Sequence, residues 1–283
     1  MRNLVVPVDG SENSADAARY AADMALAIDA DIHLLYVVTI MSMPAAVPLG
    51  YVYSDMESAG NIVLDKLFTE LRERTHGQVK IVTLLELGNI VYKIGDVCRR
   101  IHPFAVIMGA PEGSFLRSIS GSPAVDAARS LPYPVLVIPK GTVFHRIQRI
   151  VLACESGKDP DKMPLGVSFL KELKELFDSR FDIVHVGTGG AEQEDRQVMM
   201  LNKWQKTLGD VTPGLHFLPG PDILEAVEKF LGGQHSDWLM VFPGKHGLLS
   251  FHASRTKPLI LHCTVPVISI CEARPIGAPP FSQ

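Results

Sequence analysis

The chain has 283 residues, a formal net charge of −4 at pH 7, 47% hydrophobic residues and 20% charged residues. This is the composition of an ordinary globular protein, and the length favours two domains. The charge is spread along the sequence, without a basic block for nucleic acid or a basic amphipathic helix for a membrane surface. No apolar stretch reaches the about 18 residues that a membrane span needs, so we expect neither a nucleic-acid nor a membrane partner.

The first half of the chain alternates short apolar runs with segments of helical periodicity. In order, it predicts a strand at Leu4–Val8, a helix over 12–28, a strand at Ile32–Val38, a helix over about 55–75, a strand at Val79–Leu85, a helix at Asn89–Ile101, a strand at Phe104–Met108, a helix at Pro123–Leu131 and a strand at Val135–Ile138. Thr39–Ser54 is rich in Pro and Gly and is predicted to be a long loop, as lids often are. Strands that alternate with helices imply a parallel sheet covered on both faces.

The second half repeats this layout after a junction near Gly141–Arg146. It predicts strands at Ile147–Ala153, Phe181–Val186, Trp238–Phe242 and Pro266–Ile270, with helices over about 163–177 and 192–208. We therefore predict one domain over 1–141 and another over 146–272. The Pro-rich tail, 273–283, is expected to hang free or to wrap a neighbour.

The segment Phe104–Lys140 is the most informative part of the chain. It predicts a strand, a loop that contains Gly109, Gly113 and Gly121, a helix and a second strand. In an open parallel sheet such a loop lies at the carboxyl end of a strand, where ligands usually bind. Backbone N–H groups at Gly-rich turns and helix N-termini suit phosphate, so the segment predicts an anion-binding loop.

Cysteine and histidine spacing argues against a metal site. The cysteines lie at Cys98, Cys154, Cys263 and Cys271, without a metal-ligand spacing, and are expected to be buried reduced thiols. The second half contains His246, His252 and His262, which fit no metal motif. The N-terminus lacks the pattern of a signal peptide, so we expect a cytoplasmic protein.

Several segments together resemble the universal stress protein (UspA) family. They are Val6-Pro7-Val8-Asp9-Gly10-Ser11-Glu12, the Ala-rich helix after it, Val106-Ile107-Met108-Gly109, Gly121-Ser122 and Pro134-Val135-Leu136-Val137. The match covers the first half motif by motif and the second half in layout only. The resemblance implies two tandem open-sheet parallel α/β domains, adenine nucleotide alpha hydrolase-like, arranged as an intramolecular pseudo-dimer. In the family the last strands of two domains pair antiparallel, which here would join Val135–Ile138 to Val267–Ile270.

The resemblance also implies an adenine nucleotide site in domain 1, with ATP and Mg²⁺ as the expected ligands. Asp9 would contact the adenine, Met108 and Gly109 would lie under the adenosine, and Ser122 would hold phosphate. Val37 or Val38 would line the base pocket. The full set of candidate binding residues is Pro7, Asp9, Val37, Val38, Met108, Gly109, Gly113, Gly121, Ser122 and Pro123.

The candidate loop departs from the family's form Gly-x2-Gly-x9-Gly-Ser/Thr. Counted from Gly109, Gly113 comes one residue late and Gly121 one residue early, and Glu112 stands where the pattern has glycine. A carboxylate beside a triphosphate is repulsive unless a cation intervenes. Pro123 removes one backbone donor, although it also suits the first turn of a helix.

The second domain departs further from the family's pattern. Glu155 takes the place of Asp9, and the Gly-Ser pair becomes Ala253-Ser254. The loop retains four basic side chains that could bind an anion: Lys245, His246, His252 and Arg255. The alternative is that this loop packs on the partner domain or caps its own helix through Ser254.

Three functions remain open from the sequence. The first is a stress-response protein in which an adenine nucleotide is a regulatory ligand, with a homodimer of the tandem chain as a candidate assembly. Its ATP hydrolysis would at most be slow, because no general base or arginine finger is evident. The second is an interaction scaffold of the same fold without nucleotide. The third, an adenylate-forming enzyme, would need catalytic basic residues, and the loop offers only Arg117; no histidine in these motifs could activate Ser122, so no catalytic residue is predicted.

Overall fold

A computed structural model describes residues 1–39, 49–111, 122–153, 159–186, 199, 202–209, 213–218, 222–243 and 256–272. The chain forms two units. Unit 1 comprises Met1–Ala127 and Val135–His145, and unit 2 comprises Ala128–Pro134 and Arg146–Gln283. Within the ranges given above, no helix is both long enough and apolar enough to cross a membrane.

Unit 1 is a parallel α/β fold. Its elements are β1 Arg2–Val8, α1 Glu12–Ile28, β2 Ala30–Val38, α2 Leu49–Arg74, β3 Ile81–Leu87, α3 Ile90–Ile101, β4 Ala105–Gly109, the first five residues of α4 Pro123–Ser130, and β5 Val135–Ile138. Its strands pair in the order β3-β2-β1-β4-β5, and each of these neighbouring pairs is parallel. The α/β class predicted from alternating strands and helices is confirmed.

Helix α1 shows why these residues fold as they do. Ser11 caps it, because its hydroxyl oxygen accepts a hydrogen bond from the backbone N–H of Ser14 at 3.2 Å. Small residues at helical spacing then bury one face of α1 against the sheet, among them Ala17, Ala21 and Ala25. The helix ends at Asp29, whose φ of 53° is the left-handed conformation of a helix terminus.

The predicted loop over Thr39–Ser54 is wrong in its second half. Helix α2 begins at Leu49, six residues before the predicted start, and residues 40–48 lie outside the described ranges. Pro48 is the last proline of the segment, so nothing after it prevents the helix from starting. The fully buried Leu71 and the nearly buried Leu67 anchor α2 further along, and packing of this kind supports most helical stability in proteins.

Unit 2 has the same arrangement of strands. Its elements are β6 Arg149–Ala153, a 3₁₀ turn Pro160–Lys162, α5 Pro164–Phe177, β7 Arg180–Val186, β8 Gly214–Leu218, α6 Ile223–Gln234, β9 Trp238–Val241, α7 Thr256–His262 and β10 Val267–Ser269, with further helix at 202–208. The strands pair in the order β10-β9-β6-β7-β8, and each of these neighbouring pairs is again parallel.

Strand β8 is absent from the sequence prediction. It has only five residues, begins with Gly214 and contains His216, so its apolar pattern is weak. It lies at the edge of its sheet and is only partly buried. An edge strand needs fewer apolar residues than a central one, which explains why periodicity missed it.

The two sheets also place a polar pair at matching positions of their first two strands. In unit 1, Nε2 of His33 lies 3.0 Å from Oδ1 of Asn3. In unit 2, Nε of Arg149 lies 3.3 Å from Oδ2 of Asp182. The strand register is the same in both units. His33 on β2 lies opposite Val5, two residues after Asn3, and Asp182 on β7 lies opposite Val151, two residues after Arg149. The position is thus polar in both units, although the chemistry changes from a hydrogen bond to an ion pair.

Candidate functional site

The strand order of unit 1 reverses between β1 and β4. The chain runs from β1 outward to β2 and β3, and then returns to the other side of β1 for β4 and β5. Ligands of open α/β sheets bind in the crevice outside the carboxyl ends of the strands at such a switch point. Asp9 follows β1 directly, and Gly109 ends β4. The topology therefore brings these two predicted site residues to one crevice.

The turn between β1 and α1 is held by a closed set of hydrogen bonds. Oδ1 of Asp9 accepts from the backbone N–H of Ser11 at 3.0 Å and from its hydroxyl at 2.6 Å. The hydroxyl of Ser14 accepts from the backbone N–H of Asp9 at 3.3 Å and donates to the carbonyl of Ser11 at 2.8 Å. Gly10 permits the turn because its φ is +85°. The turn fixes Asp9 beside the start of α1.

These contacts keep Asp9 ionised. Partial burial would raise its pKa, but the hydrogen bonds from the hydroxyl and backbone N–H of Ser11 outweigh this and hold the pKa below its ordinary value. The side chain is exposed, and its Oδ2 has no partner in the described part of the chain. Asp9 therefore offers a charged acceptor oxygen to a ligand with N–H or O–H donors.

Gly109 lies against the first turn of α1. A Cβ at this position would lie 2.4 Å from the carbonyl oxygen of Asn13 and 2.6 Å from its carbonyl carbon. No side chain fits there unless the helix backbone moves. Nδ2 of Asn13 donates to the carbonyl of Ala110 at 2.8 Å, so the helix also holds the residue after β4. Glycine is thus required at the end of β4 for the helix to approach so closely.

Two buried side-chain oxygen atoms belong to residues at helix starts, Asn13 in the first turn of α1 and Ser122 directly before α4. Asn13 is 6% exposed and Ser122 is 8% exposed. Oδ1 of Asn13 and Oγ of Ser122 have no hydrogen-bond partner among the residues that the structure describes. A buried polar atom without a partner costs about 1–3 kcal/mol, so both atoms call for a partner from the adjoining loop or from a ligand.

The other predicted residues of the described region form apolar walls. Pro7, Val38 and Met108 are buried in β1, β2 and β4, and Val37 is half-buried. The side chain of Val63, on α2, packs close to Gly10 in the turn after β1, since a Cβ on that glycine would lie 3.2 Å from it. An apolar wall beside a few polar atoms is the usual make-up of a small-molecule site.

Two of the predicted loop residues, Gly113 and Gly121, lie outside the described ranges, as does Glu112. Pro123 is the first residue of α4, which agrees with its suitability for a first helical turn. Sequence reasoning did not select Asn13 or Ser14. The helical spacing could have identified Asn13. It lies four residues before Ala17, so it falls on the same buried face of α1, in the first turn of the helix.

Metal and thiol chemistry have little support in the described residues. No group of three or more His, Cys, Asp or Glu side chains within them could hold a metal ion. Cys98, Cys263 and Cys271 are buried thiols that form no disulfide within the described residues, and burial raises the pKa of the Cys98 thiol to about 12. Cys154 lies outside the described ranges, as do Glu155 and the basic loop of unit 2.

Comparisons with known proteins agree with the fold and with the motifs of unit 1. The model of the universal stress protein family matches residues 1–139. Universal stress protein MJ0531 of Methanocaldococcus jannaschii is 27% identical over 143 residues, which are 49% of this chain and 82% of that protein.

Solved structures resemble the full length of the chain. A universal stress protein from Archaeoglobus fulgidus has a TM-score of 0.74 at 17% identity, over 94% of both chains. The cytoplasmic domain of a prokaryotic cation chloride cotransporter has a TM-score of 0.50 at 13% identity, again over 94% of both chains. At these identities the structures show the fold alone. The family match and the motifs around Asp9 and Gly109 identify residues 1–139 as a universal stress protein domain.

Proposed function

We propose that unit 1 binds an adenine nucleotide in the crevice between the carboxyl ends of β1 and β4, and that this ligand regulates the protein in a stress response. ATP with Mg²⁺ is the proposed form of the ligand. Hydrolysis is at most slow, because the described residues around the crevice include no histidine or arginine in a position to act on phosphate. We place this function in the cytoplasm.

The observation that carries the proposal is a set of polar atoms, without partners among the described residues, that follow β1 or precede α4. Asp9 offers an ionised carboxylate whose Oδ2 has no hydrogen-bond partner in the described ranges, and Asn13 and Ser122 offer buried oxygen atoms that lack a partner there. The exocyclic amine of adenine and the ribose hydroxyls are donors that suit such acceptors. Val37, which is half-buried in β2, offers apolar surface for the rings, whereas Met108 and Val38 are almost fully buried.

The second candidate function is a scaffold of the same fold that binds protein partners without nucleotide. Its support is the spacing of Gly113 and Gly121 and the carboxylate of Glu112, which all depart from the family's nucleotide-binding loop. The two candidates differ in one respect, which is whether the crevice takes up ATP at all.

The test is a calorimetric titration of the full chain with ATP in the presence of Mg²⁺. The wild-type protein is expected to bind, and Asp9→Asn is expected to bind about 10–100-fold more weakly, since a hydrogen bond to a charged group contributes about 1.5–3 kcal/mol. Asp65→Asn is the matched control, because Asp65 is exposed on α2 away from the crevice. Absence of heat at millimolar ATP would favour the scaffold, whereas equal ATP affinity of the two variants would remove Asp9 from the binding site.

A further inference from the structure

A cavity of about 490 Å³ lies in unit 2 at the edge of the sheet where its first two strands begin. Arg149 is the first residue of β6, Arg180 is the first residue of β7, and both line the cavity. The two strands are parallel, so this edge is opposite to the carboxyl ends at which ligands of α/β sheets usually bind. The volume falls within the range of small-molecule pockets, roughly 300–1,000 Å³.

The side chains around this cavity carry an excess of positive charge. The described residues that line it include three arginines, Arg146, Arg149 and Arg180, and one carboxylate, that of Asp178. Asp178 is itself paired with Nζ of Lys174 on α5. The chain as a whole has a formal net charge of −4, so the sign of the cavity is opposite to that of the protein. A concave surface lined by positive charge raises the local concentration of small anions.

The guanidinium of Arg149 is held in place by contacts that leave part of it free. Its Nε lies 3.3 Å from Oδ2 of Asp182, and its Nη1 donates to the backbone carbonyl of Gln234 at 2.9 Å. Asp182 is only 9% exposed, and its Oδ1 lies 2.9 Å from Nε2 of His216. Nη2 of Arg149 has no hydrogen-bond partner among the described residues. Its two N–H donors are therefore oriented in advance and available to a ligand.

Arg180 lies opposite Arg149 in the strand register, so two like charges stand side by side at the cavity. Such charges repel each other unless an anion lies between them. Arg180 is exposed, and its side chain forms no ion pair or hydrogen bond with the residues that the structure describes. The same register positions of unit 1 hold Asn3 and Asp31, a neutral and an acidic residue. The fold itself therefore does not require arginine at either position.

Helix ends explain only one of the two arginines. Helices α5 and α6 end beside the cavity, and positive charge is favourable near the C-terminus of a helix. Arg149 has this role, because it donates to the carbonyl of Gln234 at the end of α6. Arg180 makes no such contact within the described ranges. Its place in the cavity is thus left for a ligand to explain.

We propose that this cavity of unit 2 binds a phosphate group, either as free phosphate or as part of a small phosphorylated molecule, between Arg149 and Arg180. Guanidinium groups bind phosphate through pairs of parallel hydrogen bonds, and this geometry suits two arginines on neighbouring strands. The site is in the other unit and at the opposite edge of a sheet from the nucleotide crevice of unit 1, so it does not depend on the proposed function.

The test is a calorimetric titration of the full chain, at low ionic strength, with inorganic phosphate and separately with ribose 5-phosphate. The protein is expected to bind at least one of the two probes, and Arg180→Gln is expected to bind it at least about tenfold more weakly. Lys171→Gln is the matched control, because it removes the same charge from an exposed position of α5 outside the cavity lining. Tighter binding of ribose 5-phosphate identifies a phosphate ester as the ligand, and equal affinity identifies free phosphate.

Three results would overturn the proposal. They are the absence of binding of both probes at millimolar concentration, an affinity of Arg180→Gln equal to that of the wild type, and an equal loss of affinity in Arg180→Gln and Lys171→Gln. The last result would show a general effect of charge instead of a site. Arg180 is exposed, so its substitution is expected to leave the melting temperature unchanged, and Arg146→Gln takes its place if that variant does not fold.

Discussion

A Cβ on Gly109 would lie 2.4 Å from the carbonyl oxygen of Asn13, so the end of β4 and the start of α1 touch backbone to backbone. This contact places the first turn of α1 against the strand that begins the Gly-rich loop. The hydrogen bond from Nδ2 of Asn13 to Ala110 fixes the same junction at 2.8 Å. The two walls of the crevice in unit 1 are therefore held in one geometry before any ligand arrives.

Gly109→Ala is expected to destabilise unit 1 and to weaken ATP binding together. The added methyl group cannot avoid the backbone carbonyl of Asn13, so α1 must shift, at a cost of about 1–3 kcal/mol. Urea unfolding of the full chain measures this loss. Gly232→Ala is the control, because its Cβ meets nothing within 4 Å, and helix propensity predicts a gain of up to about 1 kcal/mol. Equal stability of Gly109→Ala and the wild type would refute the close contact.

Ser122→Ala is expected to separate binding from stability. Oγ of Ser122 is buried and has no partner among the described residues, so its removal leaves the unfolding free energy of the ligand-free protein unchanged or slightly higher. ATP affinity is expected to fall about tenfold, as expected for one lost hydrogen bond. Ser58→Ala, on the exposed face of α2, serves as the control. A loss of stability without a loss of affinity would assign the hydroxyl to the fold and remove it from the ligand site.

Glu272→Ala is expected to destabilise unit 2 by about 1 kcal/mol, the usual value of a helix cap. The carboxylate is the group that accepts from the backbone N–H groups of Leu165 and Gly166 at the start of α5. Glu175→Ala gives the control on the same helix, because Glu175 is exposed. Thermal unfolding of both variants measures the difference. Equal melting temperatures would show that the cap does not contribute.

Protonation of His33 is expected to destabilise unit 1 as the pH falls. Burial lowers the pKa of His33, the positive charge of Lys80 adds to this, and Asp31 opposes it. In the unfolded chain the pKa of this histidine is the ordinary 6.5. Below pH 6.5 the unfolded chain therefore binds a proton at His33 more readily than the folded chain does. Stability therefore rises with pH through the window between the lowered folded pKa and 6.5, and is fully present above that window. Urea midpoints between about pH 5 and 8 should show this slope, and His33→Gln should reduce it. An identical slope in the variant would contradict the prediction.

The sequence predicted most of the fold because the central strands are continuous apolar runs. The run Val135–Ile138 was predicted to the residue, and the helix over 12–28 matches α1. The errors lie where local signals are weak or misleading. Edge strand β8 is only five residues long, with Gly214 and His216 beside its three apolar residues, and the two prolines before Leu49 hid the early start of α2.

The position of some candidate site residues could be predicted, although their binding role stays a prediction. Asp9, Met108 and Gly109 were expected at strand ends, because each lies next to the end of an apolar run that the sequence shows. The position of Asn13 beside Gly109 could not be predicted, because it depends on how closely α1 approaches β4 in the packed structure.

The most direct measurement is an NMR titration of protein labelled with ¹³C at the methionine methyl groups. The chain has ten methionines. Met108 lies next to Gly109 at the crevice of unit 1, and Met240 lies buried in β9 of unit 2. Met108→Leu and Met240→Leu assign the two signals. With ATP and Mg²⁺, the Met108 methyl signal is expected to shift with saturation while that of Met240 stays in place. A shift of Met240 alone, or no shift of either signal at millimolar ATP, would contradict a nucleotide site in unit 1.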